Sequence, residues 1–139
     1  MALALSLHHV SLNVRDLARS LHFYTDVLGL EQIPRPALRV EGAWLGIGTA
    51  QIHLITFADG QGDVGLTPSN INPAAPHVAI SIDDYEAAVV HLHDAGLKVV
   101  EAGPQRRQCW VQDPDGYIVE FIARSPVPAP PVEPVEQKT

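Results

Sequence analysis

Residues 9–30, HVSLNVRDLARSLHFYTDVLGL, and residues 77–97, HVAISIDDYEAAVVHLHDAGL, are two versions of one pattern. Each opens on a histidine, alternates apolar and polar residues, passes through an aspartate into a helical stretch and closes on Gly-Leu. Val10, Leu12 and Val14 share one face of the first strand, as Val78, Ile80 and Ile82 do in the second, because successive strand side chains point to opposite sides. Asp16, and Asp83 or Asp84, stand where a helix cap belongs, and Gly29 and Gly96 stand where the helices end. Leu17, Leu21, Tyr24 and Leu28 form an apolar stripe on the first helix. The histidine-to-glycine spacings of the two copies differ by one residue, which predicts an internal duplication.

Further strands follow each copy. In the first half they are expected at 31–33, 38–40, AWLGIG (43–48) and QIHLITF (51–57). In the second they are expected at KVVEA (98–102), RQCWVQD (107–113) and YIVEFIA (117–123), the last two joined by the tight turn DPDG. The expected fold is α+β: two tandem β-α-β-β-β modules forming a curved mixed sheet around a cleft. Module one covers about 5–57, a Gly/Pro/Asn-rich linker 58–76, and module two about 77–124, so the domain is 1–124. SPVPAPPVEPVEQKT (125–139) is proline-rich without hydrophobic periodicity and reads as a disordered tail.

Composition limits the function. With 46% hydrophobic and 18% charged residues, the 139-residue chain is of the globular class. A net charge of −7 argues against nucleic-acid and anionic-membrane partners. Cys109 is the single cysteine, which excludes an intramolecular disulfide or a multi-cysteine metal site and fits a reducing compartment. No apolar run reaches membrane-spanning length, and MALALSL is too short for a signal peptide, so the expectation is a cytoplasmic protein.

The adjacent His8 and His9 must face opposite ways in a strand. The duplication chooses between them, because His77 aligns with His9. His9 lies with Ser11 and Asn13, opposite the face that the helix covers, and is therefore directed to the cleft, whereas His8 reads as structural or solvated. In the last strands of the halves, His53 opposes the Ile52/Leu54 face and Glu120 the Val119/Phe121 face. Four metal-capable side chains, His9, His53, His77 and Glu120, thus fall on equivalent cleft-facing positions. Neutral imidazoles with a carboxylate suit a divalent first-row metal and leave room for substrate. His22, His91 and His93 lie on helices and carry no such pattern.

These residues, with FYTDVLGL, PHVAISI and above all VQDPDGYIVEFI, resemble the vicinal oxygen chelate superfamily of glyoxalase I, fosfomycin-resistance proteins, methylmalonyl-CoA epimerase, extradiol dioxygenases and bleomycin-resistance proteins. The resemblance covers about residues 5–124. It implies a glyoxalase-like fold, a divalent metal in the cleft (zinc, nickel, manganese or iron), a small substrate chelating that metal through vicinal oxygens, and a homodimer. By position it implies His9, His77 and Glu120 as metal ligands, and it matches Ser11 to a hydroxyl near the substrate. Where glyoxalase I has a glutamate and the epimerase a glutamine, this chain has His53, a ligand or a proton acceptor. Glu120, His53 and Ser11 are the expected catalytic groups, and Arg39, Arg106 and Arg107 are available for an anionic group of the substrate. The expected activity is metal-dependent lyase, isomerase or transferase chemistry of glyoxalase type. The alternatives are a drug- or metabolite-sequestering protein and an iron(II) dioxygenase.

Overall fold

The computed structural model describes residues 1–57, 67–103 and 105–124. Part of the expected linker and the whole expected tail lie outside them. Each module is one four-stranded mixed sheet. In module one β1 (His9–Val14), β2 (Glu31–Ile33), β3 (Gly42–Ile47) and β4 (Ala50–Thr56) lie in the order β1-β4-β3-β2; in module two β5 (His77–Ile82), β6 (Val100–Glu101), β7 (Gln108–Gln112) and β8 (Ile118–Ala123) repeat it as β5-β8-β7-β6. The β1–β4 and β5–β8 pairs are parallel and the others antiparallel. The mixed sheet is thus built as two halves, one per module.

Helices α1 (Leu17–Leu21) and α2 (Tyr85–Asp94) start on the expected caps, Asp16 accepting from the Arg19 amide and Asp84 from the Ala87 amide. Gly29 and Gly96 end the helical stretches at positive φ, +78° and +80°. The first helix departs from the expected course. After α1 the chain continues as a π-turn over His22–Val27, with the Leu28 amide donating to Phe23 O at 2.9 Å. Thr25 Oγ1 donates to Leu21 O at 2.6 Å, so the hydroxyl takes the carbonyl that an α-helical amide would use.

Two expected strands change. Residues 38–40 form none: Pro34 and Pro36 remove donors from the chain leading into them, and Arg35 Nη2 donates to Val40 O, folding the loop on itself. The strand expected over 98–102 is reduced to Val100–Glu101.

Both sheets turn their apolar faces to one core that includes Leu12, Val14, Leu45, Leu54, Val111 and Val119, each removed from water for about 2 kcal/mol. The modules are also joined by a buried polar latch. Asp113 Oδ1 accepts from the Asp115 and Tyr117 amides, which forms the DPDG turn, and Oδ2 accepts from Tyr24 Oη of module one at 2.7 Å. Asp115 accepts from Ser20 Oγ and the Arg15 amide. The turn that joins β7 to β8 therefore also docks module two on module one.

Candidate metal centre

The faces away from the core carry the candidate donors. On β1 and β4, Ser11 is in register with His53; on β5 and β8, Ala79 is in register with Glu120. One strand further, Trp44 stands opposite His53 and Trp110 opposite Glu120. The duplication thus extends to the residues flanking each donor, and strand parity alone brings them to one face.

In module one, the His53 ring lies between two others, stacked on Trp44 with centroids 4.4 Å apart and on His9 with centroids 4.0 Å apart. His53 is only 6% exposed. Burial lowers its pKa from the ordinary 6.5, and the nearby His9, His8 and Arg35 add to that shift. The neutral ring donates from Nε2 to Gln51 Oε1 at 2.8 Å, which leaves the lone pair on Nδ1. His8 is exposed at the strand end, as expected of a solvated residue, but its Nδ1 lies 2.8 Å from His9 Nδ1. That contact orients His9 and leaves its Nε2 available.

In module two, His77 donates from Nδ1 to Ala75 O at 2.7 Å and places Nε2 2.7 Å from Glu120 Oε2. With Nδ1 donating to the carbonyl, Nε2 is the nitrogen that faces the Glu120 carboxyl and is the one available to a metal. Gln108 Nε2 donates to the other carboxylate oxygen, Oε1. Glu120 is 6% exposed, so its charge needs these partners.

The four candidate donors therefore form two pairs, His9 with His53 and His77 with Glu120. Among the described residues no three His, Cys, Asp or Glu side chains gather in one chain to hold a metal. Ser11 is exposed on the same face as His9. The residues that sequence reasoning missed as site members are Gln108, Trp44 and Trp110, all signalled by the same two-residue parity that picked His53 and Glu120. Cys109 is fully buried, and burial pushes its thiol up to about 11, so it is not a nucleophile. Of the remaining histidines, His22 pairs with Asp26 and His91 Nε2 reaches Val27 O at 2.7 Å.

Two small clefts, of about 180 and 260 Å³, follow the seam between the modules; the first is lined by Gln51 and Ala79 and the second by His77 and Ile118. A larger apolar groove of about 430 Å³ lies on the helical side, between Phe23, Val27, Ala95 and Leu97. It holds none of the candidate donors. No helix among the described residues is long and apolar enough to cross a membrane.

A model of the glyoxalase/bleomycin resistance protein/dioxygenase superfamily matches residues 6–121. Glyoxylase I 4 of Arabidopsis thaliana is 34% identical over 136 residues, which cover 91% of this chain and 75% of that protein. The lactoylglutathione lyase of Haemophilus influenzae is 35% identical over 126 residues, 82% of this chain and 89% of that one. Among solved structures, the trypanothione-dependent glyoxalase I of Leishmania major matches with a TM-score of 0.67 at 24% identity, over 86% of this chain and 87% of that chain. This last likeness concerns the fold.

Proposed function

This chain belongs to the glyoxalase/bleomycin resistance protein/dioxygenase superfamily, and from that premise we propose that it is a divalent-metal-dependent lyase or isomerase of glyoxalase type acting on a small substrate with vicinal oxygens. In this reading it works as a homodimer, and each metal is held by His9 and His53 of one copy with His77 and Glu120 of the other. One observation carries the proposal. Each module presents two metal-capable side chains at matching ladder positions, while among the described residues one chain gathers no third donor to either pair. Two complementary half-sites need a second copy to make a whole one. Relatives named lactoylglutathione lyase, about a third identical over most of the chain, support the reaction class.

The donor set fits a divalent ion. His77 has its Nδ1 proton fixed on Ala75 O, which leaves Nε2, beside Glu120 Oε2, as the ligating nitrogen, and His53 is neutral. A bound ion supplies Lewis acidity toward two neighbouring substrate oxygens. The protein's own groups do the rest. Gln108 anchors Glu120 Oε1 and His77 Nε2 lies 2.7 Å from Oε2, so the carboxylate is positioned for the ion, and Oε2 would take a proton from substrate and return it when it is not ligating. His53 would hold the ion through Nδ1, its Nε2 proton being fixed on Gln51 Oε1, while Trp44 walls that side against water and Ser11 presents a hydroxyl donor to substrate oxygen.

Glu120→Gln tests the assignment. It keeps the shape and removes the anion of the set, so metal content of protein purified without chelators should fall severely while circular dichroism stays the same. Unchanged metal content overturns the site. Wild-type protein that takes up no stoichiometric metal under any loading condition overturns the metalloenzyme reading in favour of a sequestering role.

A further inference from the structure

The two modules deliver their leading histidines differently. His9 opens β1 and His77 opens β5, but Leu7-His8 precedes the first and Ala75-Pro76 the second. Residues 1–8 form no turn, and the neighbour of His9 Nδ1 is another exposed side chain, His8, at 2.8 Å. The neighbour of His77 Nδ1 is a backbone carbonyl, Ala75 O, at 2.7 Å. A carbonyl holds an imidazole only as firmly as the chain around it holds the carbonyl.

That chain is stiff. In Asn72-Pro73-Ala74-Ala75 the Ala75 amide donates to Asn72 O and the Ala74 amide to Asn72 Oδ1, both at 3.0 Å. Asparagine in first place and proline in second are what such a turn favours: the amide side chain accepts from the backbone two residues on, and the ring sets φ in advance. Pro76 then stands between the acceptor and the imidazole that uses it. It fixes its own φ and confines Ala75 to extended backbone. The segment is also anchored on both sides. Upstream, Gln112 Nε2 donates to Pro68 O at 2.7 Å and Thr67 Oγ1 to Asp115 O at 3.0 Å. Downstream, Pro76 lines the cleft of about 260 Å³ together with Val10 and Leu12 of module one.

We propose that the Asn72–Pro76 turn is a preformed bracket for His77, with Asn72 and Pro76 as positioning residues that act through Ala75 O. This rests on the reading of His77 as a metal ligand, and it adds what aims the ring. His77 is then held with Nε2 beside Glu120 Oε2, at 2.7 Å, before an ion arrives, and the ordering of that ligand is not charged against binding. His9, its counterpart by duplication, has no such turn ahead of it.

Two measurements on full-length protein test this: nickel titration, and the exchange with water of the His77 Nδ1–H in metal-free protein, followed by NMR. Pro76→Gly should weaken nickel binding about tenfold, the lower end of the cost of losing an outer partner of a ligating histidine. Asn72→Ala should weaken it in the same direction by less, and Asn72→Asp, whose carboxylate accepts from the same amide, should restore it. The Nδ1–H should exchange faster in Pro76→Gly and Asn72→Ala than in wild type and Asn72→Asp. Melting temperatures that fall while nickel affinity and Nδ1–H exchange stay at wild-type values would mean a merely structural turn and overturn the proposal. Should Pro76→Gly not fold, Asn72→Ala and Asn72→Asp decide, and equal nickel affinity in the two overturns it. Wild-type protein that binds no nickel overturns the metal reading instead; the Nδ1–H exchange then decides the bracket alone, and equal rates in wild type and Asn72→Ala overturn it.

Discussion

Replacing Tyr24 with phenylalanine removes one oxygen from the latch between the modules and should cost more at neutral than at acid pH. Tyr24 is 1% and Asp113 5% exposed, and the Tyr24 hydroxyl donates to Asp113 Oδ2 at 2.7 Å. A buried hydrogen bond to a charged acceptor contributes about 2 kcal/mol. Asp113 keeps two amide donors on Oδ1, so the carboxylate is weakened in its support and not abandoned. For a chain of this size, 2 kcal/mol is a fall of about 7 °C in melting temperature. The pH dependence follows from the carboxyl itself. Burial raises the Asp113 pKa, and the Tyr24 hydroxyl is the foremost of the groups that pull it back. A carboxyl whose folded pKa is raised contributes stability that is full below its unfolded pKa, about 3.9, and is lost as pH rises through the folded value. Without the hydroxyl the folded value rises further, so the extra loss appears above it. Urea unfolding of wild type and Tyr24→Phe at pH 4.5 and 7.5 should show the larger difference at pH 7.5. A loss below about 0.5 kcal/mol, or one that is larger at pH 4.5, would refute the latch as described.

Gly116 sits at φ +93°, and a Cβ there would stand 2.8 Å from Thr67 Oγ1. Gly116→Ala should therefore destabilise by about 2 kcal/mol, read as a shift in the urea midpoint. His53→Ala should lower metal affinity and alter the cobalt absorption spectrum; full metal and full activity would reduce His53 to the wall between Trp44 and His9. In a proton NMR titration of the metal-free protein, the His53 ring should change charge below the ordinary imidazole value of 6.5, because its burial disfavours the imidazolium. Deleting residues 126–139 should leave the melting temperature within about 1 °C, since that segment carries no apolar periodicity.

The parts of the molecule that depend on alternation were legible in the sequence. Val10-Leu12-Val14 and Val78-Ile80-Ile82 set the buried faces, and the opposite parity brought His9, His53, His77 and Glu120 to one side of their sheets. The repeated order of strands followed from the repeat of the sequence pattern. Other features turn on single hydrogen bonds that periodicity does not encode. Thr25 captures the Leu21 carbonyl and opens a π-turn in what reads as an ordinary helix. Residues 38–40 have apolar content suited to a strand, but the prolines before them and the Arg35–Val40 contact hold them as a loop. DPDG reads as a turn, and its second use, docking on Tyr24 and Ser20, depends on tertiary contact alone. The arrangement of the site was the least legible. Register places each donor on a face, yet only the assembled modules show that the donors come in pairs.

A whole metal site takes one pair from each of two copies in this reading, so mixing two defective proteins should rebuild it. One variant loses the module-one pair, His9→Ala with His53→Ala, and the other loses the module-two pair, His77→Ala with Glu120→Gln. Neither should bind nickel alone. Unfolded together and refolded, they form mixed dimers in which the intact module one of one chain faces the intact module two of the other. Nickel binding should return at one ion per mixed dimer, while the defective homodimers bind none. No recovery in a verified mixed dimer would contradict it and place the site within a single chain.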